Sequence, residues 1–220
     1  MRAGASSRSI PVRIVAVVAA VAVVTVPVLA AFSYPLSSEA IREAYFLGNR
    51  NDEQTADFLA KYTHTFPQPK SGPYVEEIGI ETPFTQIVRH AKITPGYNAP
   101  DAVQEFQGKP LPFRVHVDIM LTSNYAPIPP ESDTGEYQWV PDFWDDFKVH
   151  LLQNGNEIPS TVRRGGPLYA YGGNELPYVT GARVQVDYDP EKIQSEPLAI
   201  IVVTPGHGRV ETTFELGRLR

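Results

Sequence analysis

The chain has 220 residues, 42% of them apolar, which excludes wholesale disorder and fits one domain of ordinary size with an appendage. It has no cysteine, which excludes disulfides, thiolate metal sites and a cysteine nucleophile. The formal net charge is −6, and 21 prolines spread along the chain point to many short strands joined by turns.

Arg2, Arg8 and Arg13 precede an apolar run from Ile14 to Thr25, followed by PVLAAF, and the first acid is Glu39. A positive start, an apolar middle and small residues at Val28 and Ala30 describe a secretory signal cleaved after about Ala30. The 19 residues from Ile14 to Phe32 also match the length of a membrane-spanning helix, so an uncleaved anchor is the rival reading. Pro27 would end a helix just before the small residues, which favours cleavage. In either case the body is exported: periplasmic, extracellular, or outward-facing on the cytoplasmic membrane, with residues 14–32 as the membrane attachment in the anchored form. Residues 1–30 hold three of the 19 basic residues and none of the 25 acids, leaving 16 basic against 25 acidic, a net of −9. A body that acidic is not built for nucleic acid, which selects a surplus of Lys and Arg.

Residues 37–62 read as two short helices. Ser37 or Ser38 is the cap of the first and Gly48 its stop; Asn51 caps the second, with Gln54 in capping-box position. A Pro-rich linker follows. From there the period changes to two. Tyr74–Glu81 and Phe84–Ala91 read as strands joined at Thr82–Pro83, and residues 100–106 as one or two helical turns. PFRVHVDIMLT alternates Val115, Val117 and Ile119 with Arg114, His116 and Asp118. Two more strands flank Asn154–Gly155, a favoured two-residue hairpin turn. GARVQVDYDP and PLAIIVVTPGHGRVETTFEL add three. This pattern predicts a mainly β chain, an antiparallel immunoglobulin-like or fibronectin-like β-sandwich preceded by a short N-terminal helical hairpin. Its parts are residues 1–30 as signal peptide or membrane anchor, 31–70 as helical hairpin and linker, and 71–220 as the sandwich.

Two connections exceed ordinary turns, residues 123–142 and 164–181, and long loops in compact domains are where function concentrates. Counting strand directions puts both, with the PGHG turn, at one end of the sandwich; a strand at PLYAYG would alter the count. The first connection runs into QWVPDFWDDF, which contains both tryptophans of the chain. Trp139 and Trp144 offer aromatic faces, and Asp145 and Asp146 offer acceptors for ligand hydroxyls. The competing reading has Trp144 and Phe147 plugging the core while Asp142 caps a helical turn and the acids stay in water. The second connection sets Tyr169, Tyr171 and Tyr178 among glycines, as in antibody-type contact loops.

His116 and Asp118 share a strand face, and His150 follows on what reads as a neighbouring strand, so a His–Asp–His metal cluster is geometrically open, although a solvated polar face is the commoner meaning. Acid-rich stretches at 131–136 and 187–191 have calcium-loop spacing without the full pattern. No HExxH, GxSxG, SxxK or P-loop pattern occurs, so no catalytic residue, metal or cofactor is assigned. The expectation is an exported non-enzymatic binding or interaction module of the cell envelope, contacting an unknown protein or carbohydrate ligand through Trp139, Trp144, Asp145, Asp146, Tyr169, Tyr171 and Tyr178. The alternatives are a secreted hydrolase of cell-wall or extracellular polymer using carboxylates, and a structural subunit of an envelope assembly.

Overall fold

The computed structural model describes residues 31–123, 142–171 and 177–220. Helix α1 (Ser38–Arg50) starts at Ser37, whose hydroxyl accepts from the Ala40 amide at 3.2 Å. It does not stop at Gly48. It runs through to Asn51, which closes it in the left-handed conformation at φ 46°. Gly48 serves a different purpose: a Cβ there would lie 2.1 Å from the Val88 carbonyl oxygen, so the missing side chain lets two helices touch backbone to backbone. With Asn51 closing α1, the cap of α2 (Glu53–Ala60) passes to Asp52, which accepts from the Thr55 amide at 3.0 Å.

The strand expected over Phe84–Ala91 is instead helix α3 (Pro83–Ile93). Thr82 caps it by accepting from the Thr85 amide, and Pro83 stands in the first turn, where its missing donor costs nothing. Phe84, Ile87, Val88 and Ala91 fall on one face at helical spacing and are buried. After α4 (Ala99–Phe106), α1 packs on α3 and α4 rather than forming a hairpin with α2. These helices share an apolar cluster of their own, and Phe58 joins it to the main core.

The rest is β. One antiparallel sheet has the order β1 (Thr63–Thr65), β2 (Pro73–Glu81), β3 (Phe113–Leu121), β7 (Pro177–Tyr188), β6 (Ser160–Tyr171). The other has the order β5 (Asn156–Ile158), β4 (Lys148–Gln153), β8 (Pro197–Val203), β9 (Arg209–Glu215). Val115, Val117, Ile119, Val184 and Val186 of the first meet Leu151, Leu198, Ile200, Val202 and Phe214 of the second in one hydrophobic cluster. The Asn154–Gly155 hairpin forms as expected, with φ 53° and 76° at its two turn residues.

The second long connection is largely not a loop. Residues 160–171 and 177–188 pair as two antiparallel strands, and 172–176 between them lie outside the described residues. Because β6 runs up and β7 down, the directions along this sheet are unchanged. Phe113 and Ser160 both lie opposite Tyr188 at one end; the pair of Tyr171 with Pro177 lies towards the other, where β3 ends. In the second sheet β8 ends at Val203, opposite Lys148, so the PGHG turn follows at the end where β4 begins.

Candidate functional site

The predicted site residues fall into two environments. Trp139 lies outside the described residues. Trp144 sits in a 3-10 turn (Phe143–Asp146) and is 6% exposed, packed with fully buried Phe147 in the main core. Its seat is Gly165 of β6, where a Cβ would come within 2.2 Å of the indole Cδ1 and 2.4 Å of Nε1. Arg163 fastens the turn from the same strand, donating to the Trp144 carbonyl at 2.8 Å, the Phe147 carbonyl at 3.2 Å and the Asp145 carboxylate at 2.5 Å. Trp144 is therefore placed as the competing reading has it, in the core, with the acids at its wet edge. Asp145 and Asp146 are exposed, and Asp142 makes no side-chain cap to the turn.

The tyrosines are in the opposite situation. The last pair of β3 with β7 is Met120 with Gly181, while β6 and β7 continue pairing to Tyr171 with Pro177. The hairpin thus runs past the end of its neighbour, and Tyr169, Tyr171 and Tyr178 on this extension are 57%, 78% and 42% exposed. Tyr169 and Tyr171, at alternate positions, share one face of the ribbon, and Tyr178, opposite Ala170, takes the other.

The outer face of the five-stranded sheet holds an array that sequence reading passed over. Across it run Glu81, Arg114 and Asp187, then Gly79, His116 and Gln185, then Glu77, Asp118 and Arg183. Arg183 grips Asp118 with two bonds of 2.6 Å. Arg114 reaches Asp187 at 2.8 Å and Glu81 at 3.3 Å; Arg164 from β6 reaches Asp187 at 3.2 Å, and Arg89 from α3 reaches Glu81 at 3.3 Å. His116 lies in the middle, its Nε2 at 3.3 Å from the Glu77 carboxylate, over a glycine whose Cβ would stand 2.1 Å from that nitrogen. Burial pushes the imidazole below the ordinary histidine value, against the pull of Glu81 and with the push of Arg183. The hydrogen bond to Asp118 holds the Arg183 charge firmly, and Asp187 and Glu81 do the same for Arg114 against its burial. The only sequence signal was polar alternation on β3, which reads equally as a solvated face.

This arrangement ties up carboxylates. Asp118, Asp187 and Glu81 each face an arginine, which leaves them as structural acceptors and not free bases. The His–Asp–His cluster does not assemble, because His150 belongs to the other sheet and pairs with Glu157 at 2.7 Å. Among the described residues no three ligating side chains converge on a metal position. Of the acid-rich stretches, 131–136 lies outside the described residues; in the other, Asp187 is held by arginines and Asp189 caps the short turn at Pro190 by accepting from the Glu191 amide. A half-open cavity of about 300 Å³ lies beside the first turn of α1, away from these groups, lined among others by Ser37, Glu43, Phe84 and Arg220. Among the described residues no helix is long and apolar enough to cross a membrane. No protein-family model matches this chain, and no curated protein matches it.

Proposed function

We propose that this chain is an exported, non-enzymatic binding or interaction module of the cell envelope, and that its partner, a protein or a carbohydrate, is engaged by the tyrosine-bearing extension of the β6–β7 hairpin. Export rests on the arginine-led apolar segment of residues 1–30. The immunoglobulin-like sandwich reading is supported by strand order. Lettered along the chain from β2, the sheets have the orders A–B–E–D and C′–C–F–G, the pairing scheme of that architecture. The observation that carries the binding role is the exposure of Tyr169, Tyr171 and Tyr178 on a ribbon that outruns its sheet. Tyrosine gives large contact area at low entropic cost, and three exposed rings on one ribbon exceed what packing requires.

The test replaces Tyr169, Tyr171 and Tyr178 together with serine and measures co-sedimentation with isolated cell envelopes, alongside photo-cross-linking from position 171. The expected result is retention of the wild type, loss for the triple variant at unchanged melting temperature, and a discrete cross-linked product. Equal retention of both proteins, with no cross-linked product, would overturn the reading.

A further inference from the structure

We infer that His116 is an acid sensor built into the five-stranded sheet: its neutral imidazole completes a charge-balanced array, and its protonation unbalances that array and loosens the pairing of β2 with β3. The balance is visible in the groups around it. Acting on His116 directly are Glu77 and Glu81 from β2, Asp118 from its own strand and Arg183 from β7; Arg114, Gln185 and Asp187 stand in the flanking pairs, and Arg164 from β6 and Arg89 from α3 join the array through Asp187 and Glu81. In this array four carboxylates stand against four guanidinium groups, so these eight charges cancel and a proton on the imidazole adds one.

Two details single out this histidine from an incidental surface one. It is 8% exposed, so an added proton cannot be hydrated away, and Gly79 opposite leaves its ring the space a side chain would fill. Glu77 is the one carboxylate of this array with no arginine at ion-pair distance among the described residues; Arg183 acts on it only through its field, and its contact is His116 itself. Glu77 also adjoins the bulge where β2 slips register between Val75 and Glu77. A proton on His116 draws Glu77 inward and acts on the strand at its least regular point. Burial favours the neutral ring, so protonation costs the folded sheet more than the opened one.

The experiment is hydrogen–deuterium exchange of the purified chain between pH 7.5 and 5, corrected for intrinsic exchange, in wild type and His116→Gln. The same samples give imidazole proton NMR titrations. The expected result is that amides of residues 75–81 and 114–118 lose protection on acidification, by up to about tenfold per pH unit, as one proton allows. The variant keeps its protection across this range, and the wild-type resonance missing from the variant titrates below the ordinary histidine value. Equal losses in the two proteins would overturn the inference. So would titration of His116 at or above the ordinary value, which decides the matter on the wild type alone if the variant does not fold.

Discussion

The turn at Phe143–Phe147 and the ribbon at Tyr169–Tyr178 are both aromatic, both border long connections, and meet opposite fates. Trp144 and Phe147 are buried, whereas Tyr169, Tyr171 and Tyr178 are in water. Aromatic content does not separate them; what lies opposite each does. The indole has Gly165 beneath it, and Arg163 bonds the Trp144 and Phe147 carbonyls, so both carbonyls keep a donor where the turn is buried. The tyrosines lie beyond Gly181, where β3 has ended and supplies no further pairing. In this molecule an aromatic stretch is buried or exposed according to whether a glycine and a carbonyl-binding cation wait across from it.

Removing Phe147 should separate the two regions most widely. Phe147→Ala deletes a fully buried ring, an expected loss of about 3–5 kcal/mol by chemical denaturation. A loss below about 1 kcal/mol would show that the turn is not part of the core. Next comes Gly165→Ala. The added methyl must displace the indole, and overpacking of this kind costs about 1–3 kcal/mol. In a Trp139→Phe background, where Trp144 is the sole tryptophan, emission should shift red and acrylamide quenching should rise. Unchanged emission at unchanged stability would mean that Gly165 is not the seat of the indole. Arg163→Ala is milder, about 1–2 kcal/mol, since it strips two carbonyls of a donor yet leaves the ring packed. Its signature is easier quenching of Trp144 with little spectral shift; a Gly165-like red shift would place the ring itself under Arg163's control.

The two regions also mark what a sequence reveals. The hairpin at Asn154–Gly155 and the buried alternation of Val115, Val117 and Ile119 were legible because turn chemistry and period two are local. Phe84–Ala91 reads as a strand from sequence because a Thr–Pro pair serves equally as a tight turn or as a helix cap with proline in the first turn. Its apolar residues at 84, 87, 88 and 91 have helical spacing, and that was the available signal. Gly48 looked like a stop because its true role, clearance for the Val88 carbonyl, depends on a helix that follows 35 residues later. The array around His116 was invisible for the same reason. Arg114, His116 and Asp118 alternate on one strand, but whether such residues are solvated or locked together depends on what β2 and β7 bring alongside.

The smallest expected effect is the one that tests the other half of the comparison. Tyr169→Ser with Tyr171→Ser should alter unfolding free energy by no more than about 0.5 kcal/mol per site, the usual range for surface positions without buried partners. Val179, paired with Tyr169 and itself 2% exposed, is the internal control, because Val179→Ala on the same ribbon removes buried methyl groups and should cost measurably more, about 1 kcal/mol or above. If the tyrosine pair instead costs as much as Val179→Ala, the rings pack on the protein, and the ribbon becomes a second buried edge like the Trp144 turn. If the tyrosine pair is silent and Val179→Ala is not, the ribbon is rigid at its base and open at its rings, which is the combination a contact surface needs.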